Sequence, residues 1–517
     1  MFQTQKTNIK RIKKILIPNR GEISLRIQRT CRELGILSVA VFSEPDRQAL
    51  HVRYADEAYP LPGSSSQETY LNQDLLFKII HQCGADAVHP GYGFLSENGE
   101  FAQRCKEEGI LFIGPPPEAI YRMGLKTRSR ELMKKAGVPI IPGTGVLNSE
   151  QEAIEAAEKI GYPILIKASA GGGGKGMRMV DDPSRLLPSY EACKKEGLSS
   201  FGNPDVYMEK YLSKPRHIEI QILADSYGNI THLFERECSL QRRHQKIIEE
   251  TPSPFIDESL RADMVNAAIK AASVCGYVNA GTIEFLVDEF RNFYFLEMNT
   301  RLQVEHAITE MLTGLDLVEK QIRIAEGEPL DIKNVSPRGS VVECRIYAED
   351  PMNEFLPSPG LVKSLTLPSG PGIRNDSGIY QGFTIPMEYD PLISKLVTWG
   401  EDREKAVNRM IRALQEYHLL GIRSNIQFLL KILKHPGFIS GDYDTHFIPT
   451  HLSELLEPEP WEVKMESVAL ATAAILKMMK SENAIPGQQI KQSDQNTPKI
   501  PGWKLYGRIY REGSIIK

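Results

Sequence analysis

Lys167-Ala-Ser-Ala-Gly-Gly-Gly-Gly-Lys-Gly-Met-Arg-Met-Val180 decides how the rest of the chain is read. Gly171, Gly173 and Gly176 spell the G-x-G-x-x-G spacing of dinucleotide sites, and Lys175 follows a glycine as in a P-loop. Both motifs need a helix directly after the glycines, because its N-terminal N–H groups take the phosphate. Here the glycines run into Met-Arg-Met-Val, a short strand pattern closed by Asp181, Asp182 and Pro183. Met177 also stands where a P-loop places a hydroxyl for magnesium. The stretch therefore predicts strand, glycine loop, strand: a hairpin with a mobile tip.

Upstream, Ile15-Leu-Ile-Pro-Asn-Arg-Gly-Glu-Ile-Ser-Leu-Arg-Ile reads as a buried strand, a turn at Gly21 and an amphipathic helix to about Leu34. Ser38–Ser43, Ala87–His89 and Ile110–Gly114 are further buried strands. Strands alternating with helices predict an open parallel α/β sheet, with ligands beyond the carboxyl ends of its strands. The loop His89-Pro-Gly-Tyr-Gly-Phe-Leu-Ser-Glu-Asn98 lies at such an end and displays Tyr92. The Pro/Gly-rich stretch Val138–Gly145 marks a boundary, and residues 139–211 form a small α+β unit carrying the glycine hairpin. From Arg216 longer alternating strands, with a turn at Tyr227-Gly228-Asn229, predict an antiparallel sheet. A last αβ portion closes near Phe447.

Gly281–Asn299 reads as a hairpin turning near Glu289–Arg291. A register symmetric about that turn sets Glu284 opposite Glu297. Two carboxylates at that separation repel, unless solvent or a divalent cation intervenes. Oxygen-only ligands favour magnesium held together with substrate phosphates. Beyond the hairpin, Glu297, Asn299, Arg301, Gln303 and Glu305 share one parity, so an extended chain would line them along one face. His244 and Lys246, at i and i+2 within a charged run, would likewise share a face. Cys238 and Cys344 are expected to be buried structural thiols, since neither shows a base partner.

Long motifs carry a resemblance. Ile17-Pro-Asn-Arg-Gly-Glu-Ile, His89–Asn98, Lys167–Met177, Arg242-Arg-His-Gln-Lys246, Glu297-Met-Asn-Thr-Arg-Leu-Gln-Val-Glu-His306 and Glu343-Cys-Arg345 make the chain resemble biotin carboxylase, from about residue 11 to 450. That family is the ATP-grasp component of biotin-dependent acyl-CoA carboxylases. The resemblance implies an α/β and α+β multidomain chain in which an ATP-grasp fold follows the open parallel α/β domain. It divides the chain into 1–125, an ATP-grasp domain 126–335 with its lid at about 139–211, a C-terminal domain 336–450, and a tail 451–517.

The resemblance also implies roles. Lys126, Lys167, Gly172, Gly173, Gly174 and Met177 would hold or cover ATP phosphates. Glu209, Lys210 and Leu212 would line the adenosine hinge, with His217, Gln241 and His244 in the same ATP site. Glu284, Glu297 and Asn299 match magnesium (or manganese) ligands. Arg301, Gln303, Val304 and Lys246 match a bicarbonate pocket, and Tyr92 is counted among the cofactor-binding residues. Glu305 matches the base that deprotonates bicarbonate, and Arg345 the cation that steadies the biotin enolate. Ser340 and Ser424 stand where the family usually has His and Thr, outside these roles. Another ATP-grasp ligase of the carbamoyl-phosphate type, or a non-catalytic scaffold subunit, are the alternatives.

Bulk properties set the frame. A chain of 517 residues needs more than one core. Its net charge of −4 offers no electrostatic case for nucleic acid or an anionic membrane. The run Val468–Leu476 is too short to span a bilayer, and the basic N-terminus lacks the apolar core of a secretory signal. Seven cysteines with no CxxC pair fit a reducing compartment, so a cytoplasmic enzyme is expected. The tail offers Val463-Lys464-Met465 and Leu476-Lys-Met-Met479, but neither sits in a plausible carrier hairpin. The expected partners are therefore a separate biotin carboxyl carrier and carboxyltransferase subunits, with a homodimer as the assembly. Pro501–Arg508 resembles the start of a docking segment of longer acyl-CoA carboxylase α subunits.

Overall fold

The computed structural model describes residues 9–169, 176–332, 335–458 and, in the tail, 468, 471–475 and 477. Residues up to Leu456 pack as one compact unit, and Glu457 begins a second.

The first sheet is parallel, in the order β3-β2-β1-β4-β5, from β1 (Lys14–Ile17), β2 (Leu37–Phe42), β3 (Glu57–Pro60), β4 (Ala87–Val88) and β5 (Leu111–Phe112). Ile15, Leu16 and Ile17 are wholly buried because helices cover both faces of the central strand. β3 escaped the sequence reading, since only alternate residues of this edge strand are shielded and its sequence is not a hydrophobic run. After β1 the chain turns at Asn19–Gly21 into helix Gly21–Glu33. The Asn19 amide donates 2.7 Å bonds to the carbonyls of both Pro90 and Tyr92. That pins the His89–Asn98 loop over the sheet's carboxyl edge and fixes where Tyr92 stands.

The glycine stretch is flanked as predicted by β6 (Ile164–Ala168) and β7 (Met177–Val180), antiparallel with Lys167 opposite Met177. β8 (Val206–Lys210) joins them on the other side of β6. Gly176 has φ +71°, and a Cβ there would sit 2.8 Å from that of Ala168, so this end of the hairpin requires glycine. Gly172, Gly173, Gly174 and the rest of the tip lie outside the described residues.

The largest sheet is antiparallel. It runs β13 (Phe293–Asn299), β12 (Asn279–Val287), β9 (Arg216–Ala224), β10 (Ile230–Arg242), β11 (Gln245–Thr251) and β14 (Ser340–Tyr347), then strands Leu392–Gly400 and Ile373–Ser377. β9 explains its architecture. Ile218, Ile220 and Ile222 pack with Met264 and Ala268 of helix Glu258–Cys275, while His217, Glu219 and Gln221 on the other face are buried too. One face is an ordinary core; the other is a buried field of polar groups.

Three local expectations needed correction. Glu284 and Glu297 do face one another, but the register slips by one residue at the next position, where Phe285 pairs with Phe295. The same-parity row from Glu297 to Glu305 is extended only to Asn299. The Thr300 N–H leaves the ladder for the Glu97 carboxylate at 3.0 Å, and helix His306–Thr313 follows. His244 does not share a strand face with Lys246: Arg243 and His244 form the β10–β11 turn, with φ +50° and +65°.

Candidate active site

The polar face of the large sheet converges on Lys246. Its Nζ donates to Glu219 Oε2 at 2.6 Å, Glu305 Oε1 at 2.7 Å and Glu284 Oε1 at 2.9 Å. Glu305 is fully buried at the N-terminus of helix His306–Thr313, and its other oxygen accepts from Arg345 Nη2 at 3.0 Å. Arg345 Nε meanwhile donates to Glu249 at 2.6 Å. Burial by itself would raise the Glu305 carboxyl, but Lys246 and Arg345 outweigh it and hold the group well below the usual carboxylate range. Glu284 is held low against its own burial by Lys246 and His217, whose Nε2 lies 2.9 Å away. Burial prevails at Glu249, which is pushed up to about 7 despite Arg345.

Arg301 forms the second part. Its Nε donates to Glu97 at 2.9 Å, Nη1 to Gln303 at 2.8 Å and Nη2 to Asn299 at 3.0 Å. Gln303 passes the connection to Glu284 at 3.2 Å. The predicted group of Asn299, Arg301, Gln303 and Glu305 is thus gathered by a bent loop rather than along one strand. Arg301, Val304 and Arg345 line a cavity of about 540 Å³ together with Tyr92, Glu97 and the Asn19–Ile23 turn. Glu305 and Lys246 are not on its wall; Glu305 pairs with Arg345, and Lys246 with Glu305.

The residues expected on the phosphate side differ in how they are held: Lys126 and Glu297 loosely, Lys167 and Glu209 in a tight buried pair. Lys126 opens helix Lys126–Lys135, and its Nζ lies 3.5 Å from Glu297, whose side chain keeps 37% of its exposure. Lys167 is buried on β6 and pairs with Glu209 at 2.5 Å; Arg130 pairs with the same carboxylate. Burial would raise Glu209, but Lys167 and Arg130 hold it low. Lys210 is turned away, donating to the carbonyls of Gly161 and Tyr162 at 2.9 and 3.0 Å. Gln241 contacts His217 Nδ1 at 2.7 Å, His244 is exposed in its turn, and Met177 and Leu212 are half-buried.

The oxygen donors fit a hard divalent cation. Glu284 and Glu297 pair across the hairpin, and Asn299 lies two residues on, with its amide Nδ2 buried and without a partner. Glu297, whose side chain keeps 37% of its exposure, leaves carboxylate oxygens free for a cation shared with phosphates. Asn299 Oδ1, by contrast, accepts from Arg301 Nη2 at 3.0 Å, and its orphaned Nδ2 is an N–H donor suited to a phosphate oxygen. Cys238 and Cys344 are buried, and burial pushes both thiols well up, as fits structural thiols.

Several members were not read from sequence. Glu219, Arg236, Glu249 and Glu97 all hold catalytic candidates in place. Arg236, with no exposure, pairs with Glu219 and donates to Gln221, Thr309 and Thr282. A signal did exist on β9, where His217, Glu219 and Gln221 alternate with three isoleucines; polar residues in a strand that long can face a buried site as well as water.

Three family models match in order: "Biotin carboxylase, N-terminal domain" over residues 11–120, "Carbamoyl-phosphate synthase L chain, ATP binding domain" over 126–333, and "Biotin carboxylase C-terminal domain" over 343–450. Biotin carboxylase 1 of Bacillus subtilis is 50% identical, covering 85% of this chain and 99% of its own. The mitochondrial methylcrotonoyl-CoA carboxylase subunit alpha of Dictyostelium discoideum is 48% identical over 98% of this chain and 72% of its own. Among solved structures, the biotin carboxylase domain dimer of Hydrogenobacter thermophilus 2-oxoglutarate carboxylase, in complex with MgADP, ADP and bicarbonate, superposes with a TM-score of 0.84. It is 46% identical and covers 87% of this chain and 100% of its own.

Proposed function

The chain belongs to the biotin carboxylase family and is an ATP-dependent ligase that carboxylates biotin with bicarbonate; from that premise we propose how its residues divide the work. The observation that carries the proposal is the buried Lys246–Glu305–Arg345 cluster lying behind a cavity that Arg301 lines.

Bicarbonate is a poor nucleophile until it loses its proton. Arg301, at the cavity wall, holds the anion. Glu305 takes the proton, and its depressed pKa means that it is ionised and proton-free when the anion arrives. The two cations gripping Glu305 must loosen before it can act. Lys246 turning toward the bound anion does both things at once, because it frees Oε1 and raises the carboxylate's proton affinity. Attack on the γ-phosphoryl gives carboxyphosphate, whose charge Lys126 and Lys167 face. A magnesium ion held by Glu284, Glu297 and Asn299 supplies further charge neutralisation on the phosphates when bound. Carboxyphosphate then yields carbon dioxide to biotin. The phosphate left by carboxyphosphate takes the ureido N–H proton as the nitrogen bonds carbon dioxide, and Arg345, on the cavity wall with Tyr92, steadies the ureido oxygen.

Biotin arrives on a carrier belonging to another chain, with a carboxyltransferase as further partner and a homodimer as the assembly. Support comes from the covered relatives named as biotin carboxylases and from a dimeric neighbour. Lys464 lies outside the described residues and Lys477 is helical, unlike a carrier hairpin. Mass spectrometry after co-expression with a biotin ligase tests this: covalent biotin on either lysine would overturn it. The tail is proposed as partner-docking, since the similarity to a methylcrotonoyl-CoA carboxylase subunit extends over 98% of the chain.

One observation favours a second reading: the model matching residues 126–333 takes its name from carbamoyl-phosphate synthase. Steady-state ATP cleavage separates the two. Stimulation by bicarbonate and then by biotin is expected, whereas stimulation by ammonia without any effect of biotin would favour the second.

A further inference from the structure

Lys395, on strand Leu392–Gly400, has no exposure and lines no part of the cavity, yet it contacts three segments around it. Its Nζ donates to the Val304 carbonyl at 2.7 Å. It lies 3.2 Å from Glu22 Oε1, on the first helix, and 5.9 Å from the centre of the Tyr92 ring. Tyr92 itself donates its hydroxyl to the same Glu22 oxygen. Val304, Glu22 and Tyr92 all line the cavity; Lys395 stands behind them and joins them.

The Val304 carbonyl belongs to the peptide that leads into Glu305. Holding that oxygen fixes the plane of the 304–305 peptide, and with it the direction of the Glu305 N–H and the origin of the Glu305 side chain. A buried ammonium is costly unless it is paired. Here the pairing to Glu22 retains it, and the spare donor goes to the one carbonyl beside the proposed base.

We infer that Lys395 is a positioning residue: it ties the Tyr92–Glu22 wall to the Val304–Glu305 loop, so that the bicarbonate and biotin sites are set relative to each other before either ligand binds. Nothing in its contacts reaches the phosphate side, where Lys126, Lys167 and Glu209 are held by other partners. The inference rests on the biotin carboxylation reading, and wild-type ATP cleavage with and without bicarbonate tests that reading separately.

Lys395→Met keeps the length and apolar stem and removes the charge. The expected result is a rise of about 10- to 100-fold in the KM for bicarbonate and for free biotin, the scale of losing a charge-assisted or supporting hydrogen bond at a site. The KM for ATP should be unchanged, and Lys395→Arg should recover part of the loss. Lys395→Met leaves Glu22 buried without its cation, so the double variant Lys395→Met/Glu22→Gln restores charge balance if the single variant does not fold. In the folded variant, equal rises in all three KM values, or no change in the bicarbonate and biotin values, would overturn the inference.

Discussion

The two halves of the site are built differently. Around Glu305 most of the charged groups are already paired: Lys246 serves three carboxylates, Arg345 two, and Arg236 sits with no exposure against Glu219. Around Glu297, among the described residues, the only ion pair is a 3.5 Å contact with a half-buried Lys126, and the buried Asn299 amide nitrogen is without a partner. The difference follows from the ligands. Bicarbonate is small and singly charged, so charge must be aimed at it in advance, in a dry site where each dipole counts. ATP is a polyanion that brings its own cation, so a carboxylate such as Glu297, meant for that cation, gains most by staying available.

The sharpest break of this comparison is Glu305→Gln. The amide keeps the shape but cannot take a proton, so bicarbonate-dependent ATP cleavage should fall by about 10²–10⁴-fold in kcat. MgATP affinity, measured by calorimetry, should be unchanged; a parallel loss of affinity would mean that the two halves are not separable.

Arg345→Met comes next. Biotin carboxylation should fall by about 10²–10³-fold, the cost of removing a preorganised charge from a reacting oxygen. Bicarbonate-dependent ATP cleavage without biotin should survive to a larger extent, and a larger loss in that assay would move Arg345 from the biotin step to the first one.

The facing glutamates supply an internal control. Removing the buried charge in Glu284→Gln weakens the hold on Lys246, which keeps Glu219 and Glu305, and on His217, and should cost about 2–3 kcal/mol of stability, the scale of a hydrogen bond to a charged group. Glu297→Gln should cost about 1 kcal/mol or less, while raising the magnesium concentration needed for half-maximal rate. Denaturation midpoints and a magnesium titration check both, and equal stability costs would contradict the contrast drawn above.

The smallest effect concerns Glu249. Its carboxyl at about 7 is above its unfolded value, so the folded state holds an extra proton between roughly pH 4.5 and 7 and loses stability as pH rises through that window. Glu249→Gln removes that titration. The melting temperature of the variant relative to wild type should therefore climb by a few degrees from pH 5 to pH 8, on the scale of about 2–4 °C per kcal/mol for a large domain. A flat difference would show that Glu249 does not titrate there.

What could be read beforehand depended on range. The Glu284–Glu297 pairing was legible because both residues belong to one hairpin and its turn fixes the register. The one-residue slip beside it was not, since no glycine or proline marks that bulge. The row to Glu305 was legible as a set of residues but not as a shape. Thr300 leaves the ladder for Glu97, a residue two hundred positions earlier, and no local pattern announces such a contact. His244 was misplaced because Arg-His occupies a positive-φ turn where Asn-Gly is the usual signal. Glu219 was missed for a further reason: polar alternation on β9 reads as a solvated face unless one knows that the opposite side is covered as well.

Tracing oxygen tests the central claim most directly, because the Glu305 half exists to turn bicarbonate into the nucleophile. With ATP, magnesium, biotin and bicarbonate labelled with ¹⁸O, attack on the γ-phosphoryl leaves one bicarbonate oxygen on the phosphate when carboxyphosphate releases carbon dioxide. Mass spectrometry of the product should find phosphate carrying one ¹⁸O per turnover. Unlabelled phosphate, formed at the same rate and taking its new oxygen from water, would contradict the account.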